Sequence, residues 1–220
     1  MIMKRTFIGC LVVLLFLTGC SWFQAKEEKP AQELASDGME AFKKGNYDKA
    51  IESFQKIKDW YPFSKYAILA ELKIADAHFN LKEYEEAVFA YEEFENLHPR
   101  NEAVPYVIYQ IGLCYFVQID TIDRDQTSSQ KALDTFNRLI KQFPEDTYAD
   151  RAREHTKKCI KTLAGHEFYV GLFYFKGKHY KAALKRFETV LIKYPDVGLH
   201  YKAMQYLARA EAASKIQSEE

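Results

Sequence analysis

Four times along the chain the same spaced triplet recurs, an Ala, an aromatic four residues on and a Pro eight residues after that. The copies are Ala50, Phe54, Pro62; Ala87, Tyr91, Pro99; Ala132, Phe136, Pro144; and Ala183, Phe187, Pro195, which together account for four of the 6 prolines. Upstream of each copy lies a small residue followed four later by Phe: Gly38 and Phe42, Ala75 and Phe79, Gly112 and Phe116, Gly171 and Phe175. Spacings of four place residues on one helix face, so each unit reads as two helices, A and B. The small residue lets helix A approach helix B, where the small Ala receives it, and the aromatics one turn on fill the space beside that contact. Each Pro ends helix B, because it lacks the helix N–H and restricts the residue before it. Units of this kind cover their apolar faces only by stacking on their neighbours.

The pattern resembles the tetratricopeptide family over most of the chain. The expected fold is all-α, a right-handed superhelical solenoid of about four and a half helix pairs. The turns between A and B are Lys44-Gly45-Asn46-Tyr47, Leu81-Lys82-Glu83-Tyr84 and Lys176-Gly177-Lys178-His179-Tyr180, with Gly or polar residues where the chain reverses. From small residue to Ala the step is 12 in units one, two and four but 20 in unit three (112 to 132), which places eight extra residues around Ile119 to Thr127. An extended A/B loop is expected to project there. From Pro to the next small residue the step is 13 twice, then 27 (144 to 171). The 14 extra residues amount to about four helical turns, predicting one long helix from near Thr147 to Lys176, capped by Asp146 or Thr147. After Pro195 a further helix is expected from about Leu199 to Ile216, where a step of 13 lands on Ala208, with Ala212 in place of the Phe. It reads as a lone last helix that caps unit four.

Composition narrows the function. Lys plus Arg and Asp plus Glu each number 31, so no net field draws the chain to nucleic acid, and 48% apolar residues suffice for a core. At the N-terminus Lys4 and Arg5 precede an apolar run from Phe7 to Leu17, too short to span a bilayer in the ordinary way, and then Leu17-Thr18-Gly19-Cys20. Those four residues resemble a bacterial lipobox. The resemblance implies a signal peptide over 1–19 and lipidation of Cys20; the following stretch, rich in Lys, Glu and Ala, reads as a lipidated tether over 20–32, ahead of the repeat array over 33–220. Ser21 after the cysteine implies outer-membrane delivery, with the remaining chain facing the periplasm.

Mapping the tetratricopeptide pattern onto helix A gives candidates for a peptide-binding concave face: Met39 and Phe42 in unit one; Leu69, Leu72, Asp76 and Phe79 in unit two; Tyr106, Tyr109, Leu113 and Phe116 in unit three. These are either core between adjacent helices or the lining of an apolar groove suited to an extended, aromatic-bearing peptide. Catalytic patterns do not emerge. The histidines at 78, 98, 155, 166, 179 and 200 have no metal-ligand spacing, the serines lack a nucleophile elbow, and no glycine run cradles phosphate. No enzyme, metal or cofactor is expected. Cys114 and Cys159 sit in apolar helical stripes and read as buried free thiols, although an oxidising compartment also permits their pairing.

A narrower likeness rests on the lipobox followed closely by the array, on Trp60-Tyr61-Pro62-Phe63-Ser64-Lys65-Tyr66, on Val104 to Leu113, and on Asp123-Arg124-Asp125-Gln126 ahead of Ala132 and Phe136. Together they resemble the BamD family of lipoproteins, part of the machinery that folds β-barrels into the outer membrane. The resemblance implies N-terminal repeats that receive targeting segments of unfolded outer-membrane proteins. It also implies a C-terminal surface, from roughly Asp146 to Glu220, that docks on a POTRA domain of the BamA-like barrel subunit. Other lipoproteins of that complex are further candidate partners. Members of the family usually complete a fifth repeat, whereas here one helix is found. Two alternatives stand beside this reading: a tetratricopeptide lipoprotein scaffold for peptidoglycan or Tol-Pal machinery, whose usual N-terminal coiled coil is missing, and a hydrolase hidden in the groove.

Overall fold

The computed structural model describes residues 29–219; the signal segment, Cys20 and most of the tether lie outside the described residues. Among these residues the chain forms α1 (Ala31–Lys43), α2 (Tyr47–Trp60), α3 (Ala67–Leu81), α4 (Tyr84–Leu97), α5 (Val104–Phe116), α6 (Thr127–Gln142), α7 (Thr147–Lys176), α8 (Tyr180–Lys193) and α9 (His200–Glu219), with no strand. Each helix packs on its neighbours in sequence, giving four pairs and a last helix that has no following partner among the described residues. The A/B reversals need one left-handed residue. It is Gly45 in unit one (φ 75°) but Lys82 and Lys178 in units two and four (φ 63° and 58°), so in unit four the glycine beside it, Gly177, is not the residue that turns the chain.

Pairing within a unit depends on the small residue of helix A, and its partner is the ring rather than the alanine of helix B. A Cβ placed on Gly38 would lie 2.7 Å from Phe54 Cε1, one on Gly171 would lie 2.6 Å from Phe187 Cε1, and one on Gly112 would run into Phe136 in the same way. The ring edges occupy the volume that glycine vacates. The alanines Ala50, Ala87, Ala132 and Ala183 are completely buried alongside.

Stacking between units follows a second rule counted from the prolines. Residues 8, 12 and 15 after each Pro face the preceding pair: Ala70, Ile74 and Ala77 after Pro62; Val107, Ile111 and Cys114 after Pro99; Ala152, Thr156 and Cys159 after Pro144; Ala203, Leu207 and Ala210 after Pro195. All but the half-buried Leu207 are buried. Ala70 and Ile74 pack with Phe54 and Ile57, Val107 and Ile111 with Tyr91 and Phe94, Ala152 and Cys159 with Phe136 and Leu139, and Ala210 with Phe187. Ion pairs between successive B helices reinforce the stack: Lys58 with Glu93 at 2.8 Å, and Arg138 with Glu95.

The long helix takes the expected bounds, and the Asp146 side chain accepts a hydrogen bond from the Tyr148 amide at 2.7 Å. Its first half covers unit three and its second half pairs with α8. Fourteen residues make nearly four whole turns, so Gly171 keeps the angular register that Gly112 has thirteen residues after its Pro. The two halves use different faces: Ala152 and Cys159 pack with Phe136 and Leu139, and Phe168 and Phe175 with the Phe187 cluster. The eight-residue insertion between α5 and α6 does not project freely. His166 Nδ1 hydrogen-bonds the Ile122 carbonyl at 2.7 Å, and Ile122 lies against Gly165 of α7.

Candidate functional site

The ten helix A candidates do not form one open groove. Leu69 is exposed, Asp76 and Tyr109 are buried, and the other seven are half-buried. Met39 and Phe42 pack on the unit-one core, Leu72, Phe79 and Tyr106 on that of unit two, and Leu113 and Phe116 on that of unit three. Phe42 is edge-on to Tyr47 at 5.2 Å and lies under the Lys73 ammonium at 5.1 Å; Phe79 is edge-on to Tyr84 at 5.8 Å. These rings therefore join helices A and B as well as lining a face.

Asp76 is the centre of a buried network spanning three helices. Its Oδ1 accepts hydrogen bonds from Tyr91 and Tyr106, each at 2.7 Å, and its Oδ2 pairs with Lys73 Nζ at 2.7 Å. The Gln110 amide donates to both tyrosine oxygens, at 3.3 and 3.0 Å. Unit two is the one in which helix A carries Ala75 rather than Gly and helix B carries Tyr91 rather than Phe. The hydroxyl needs a buried acceptor, and Asp76 supplies it. A carboxylate assigned to the groove by position is thus engaged in holding α3, α4 and α5 together.

From Tyr106 the aromatic face continues onto α7, beyond the positions that the helix A mapping selects. Tyr148 lies 5.4 Å from both Tyr106 and Tyr109, and Arg151 sits over its ring at 5.4 Å. His155 is hydrogen-bonded to the Tyr109 hydroxyl at 3.0 Å and packs on Phe116 at 4.3 Å and Phe136 at 5.4 Å. Burial pulls its pKa below the usual imidazole value, with Lys158 adding to the shift, so the ring is neutral at neutral pH. Tyr148 and His155 are seven residues apart, two turns, and that spacing in the 14 extra residues was the available signal.

The second surface belongs to α9. Thirteen residues after a Pro, Ala75 and Gly112 meet their own helix B, but Ala208 has none and is exposed. Around it Tyr201, Met204, Ala212 and Ile216 are exposed on the same stripe, with Tyr201 at 70%, Met204 at 51% and Ile216 at 60%. The small residues that elsewhere admit a helix B are present; the helix is not among the described residues.

No group of three or more His, Cys, Asp or Glu placed to hold a metal occurs among the described residues, and no helix there is long and apolar enough to cross a membrane. Cys114 and Cys159 are buried free thiols in different clusters. Burial pushes them up to about 12 and about 11, and desolvation followed by the Asp76 charge raises the Tyr91 and Tyr106 hydroxyls. All four pKa values are raised in the folded state. Their contribution to stability is therefore complete below the unfolded thiol value of about 8.5 and is lost as pH rises above it. The urea midpoint is expected to hold from about pH 7 to 8 and to fall steadily from about pH 9 to 11; a flat profile from about pH 8 to 11 contradicts it.

Stacked helix pairs joined through ring-on-glycine contacts define a helical-repeat scaffold of the tetratricopeptide class. The same fold occurs in the TPR2AB domain of yeast Sti1, solved as a pHSP90 complex, with a TM-score of 0.52 and 18% identity over 83% of this chain and 70% of that one. Within that class, the family model for YfiO, described as an outer membrane lipoprotein, matches residues 27–220, and the chain belongs to that family. A relative from Rickettsia prowazekii is 34% identical over 84% of this chain and 74% of its own length. Another, from Caulobacter vibrioides, is 29% identical over 92% and 68%. Both are named outer membrane protein assembly factor BamD. The family is one of assembly factors rather than enzymes.

Proposed function

We propose that this chain is the lipid-anchored, periplasm-facing scaffold subunit of the machinery that assembles β-barrel proteins into the outer membrane. In this reading Cys20 carries the lipid. The helix A face from Leu69 through Tyr106 to Tyr148 receives aromatic-bearing targeting segments of unfolded clients. The surface from about Asp146 to Glu220 docks on a POTRA domain of the BamA-like central subunit. Family membership supports the assembly role, and the observation that carries the docking is the stripe of α9 that no described residue covers, apolar and built to the rule that admits a helix elsewhere in the chain. A large apolar face left open on a soluble surface marks an interaction site.

The test is a pull-down from detergent-solubilised membranes through a C-terminal tag, comparing wild type with Met204→Asp/Ala208→Arg. Both residues are exposed, so thermal stability is expected to stay within about 0.5 kcal/mol of wild type. Recovery of a POTRA-bearing barrel protein is expected with wild type and to fall at least about tenfold with the variant. Equal recovery by the two removes α9 from the interface, and recovery of peptidoglycan or Tol-Pal proteins instead replaces the assembly role with the alternative scaffold.

A further inference from the structure

The turn between units one and two carries apolar surface that nothing in the fold uses. Phe63 is fully exposed and Trp60 is 45% exposed, on either side of Pro62. Between them Tyr61 is turned inward, and its hydroxyl donates to the Lys29 carbonyl at 3.1 Å. That bond fixes the N-terminal entry of the array beside the turn. From Lys29 back to Cys20 is nine residues, which span at most about 32 Å when fully extended.

We propose that Trp60 and Phe63 insert into the interfacial region of the membrane leaflet that holds the lipid anchor, fixing the orientation of the repeat array against the bilayer. The proposal rests on lipidation of Cys20. Trp and Tyr rings favour the headgroup level of a bilayer, and a Phe exposed on a rigid turn has apolar area to gain there. Two rings bind a membrane weakly by themselves. A nine-residue tether makes the second contact intramolecular, so its effective concentration is in the millimolar range and weak partitioning becomes occupancy. Lys65, exposed two residues after Phe63, lies over the Tyr66 ring at 5.1 Å and suits headgroup phosphates. Of the carboxylates near the turn, Asp59 accepts a hydrogen bond from Gln55 at 2.8 Å, and Glu33 and Asp37 pair with the Lys29 ammonium at 2.9 and 2.7 Å. A lipid surface fits this turn better than a peptide does, because the two rings stand exposed on a turn and lie within reach of the anchor.

The experiment uses the full acylated chain in vesicles of phosphatidylethanolamine and phosphatidylglycerol. Trp22→Phe leaves Trp60 as the single tryptophan of the 2 in the chain. Flotation comes first, with Cys20→Ala as the comparison, and Trp60 emission is then read with lipids brominated on the acyl chain and with aqueous iodide. About half the emission is expected to be lost to brominated lipid and iodide quenching to fall about threefold relative to detergent, both effects shrinking in Phe63→Ser. Phe63 touches nothing in the fold, so that variant folds normally. A chain that floats but leaves Trp60 open to iodide and untouched by bromine overturns this inference alone. One that does not float, or floats as well with Cys20→Ala, overturns the anchor reading and this inference with it.

Discussion

Asp76→Ala is expected to lower the unfolding free energy by about 3–4 kcal/mol, the largest effect of any single helix A substitution. A hydrogen bond to a charged group contributes about 1.5–3 kcal/mol, and Asp76 accepts two from tyrosines at 2.7 Å while pairing with Lys73 at the same distance. Its side chain is 5% exposed, so solvent screening does little to discount the figure, whereas Lys73 at 24% can regain water. The main cost is the buried Tyr91 hydroxyl left without its acceptor. Asp76→Asn keeps an oxygen for the tyrosines and is expected to cost about 1 kcal/mol. Urea titrations measure both. A double-mutant cycle with Tyr106→Phe assigns the loss: Tyr106→Phe should cost about 1 kcal/mol in wild type and nearly nothing beside Asp76→Ala. An Asp76→Ala chain within about 0.5 kcal/mol of wild type would show that the network does not hold α3, α4 and α5 together.

Gly171→Ala is the second large effect, about 2–3 kcal/mol from adding one methyl group. Helix propensity alone argues the opposite, since Ala is favoured over Gly in a helix by about 1 kcal/mol. Packing wins because the new Cβ would meet Phe187 Cε1 at 2.6 Å and Cδ1 at 2.9 Å, and Phe187 is completely buried against Phe168 and Tyr206. The ring has no space to retreat into. Gly165→Ala, six residues earlier in α7, is the control: its Cβ would lie 3.1 Å from Ile122 Cγ2, a side chain 40% exposed on a loop that can give way. That change is expected to lie within about 1 kcal/mol of wild type. Thermal unfolding of the two variants separates ring-on-glycine packing from a general intolerance of α7 to alanine; equal midpoints would refute it.

Most of the secondary structure was legible from spacing. Proline intervals located the ends of the B helices, the 27-residue interval predicted a long helix whose observed bounds are Thr147–Lys176, and a step of 13 placed Ala208 in register. These inferences succeed because helical periodicity is local: a residue's face is set by counting from a fixed breaker. The site was less legible. Asp76 fell at a groove position, and only the hydroxyl of Tyr91, 15 residues away on another helix, shows why it is buried. Tyr148 and His155 join the aromatic face because α7 continues past one unit into the next.

Linear order thus dictated which elements form, where they end and which stripe of each is apolar, since those depend on propensity, breakers and period. It did not dictate which stripe meets which. The partner of Gly171 was a ring rather than an alanine, the inserted loop lay down on Gly165, and no described residue covered the stripe around Ala208. Each of these depends on the volume and direction of side chains brought together from distant parts of the chain, and close packing leaves one arrangement that fills the space without a clash.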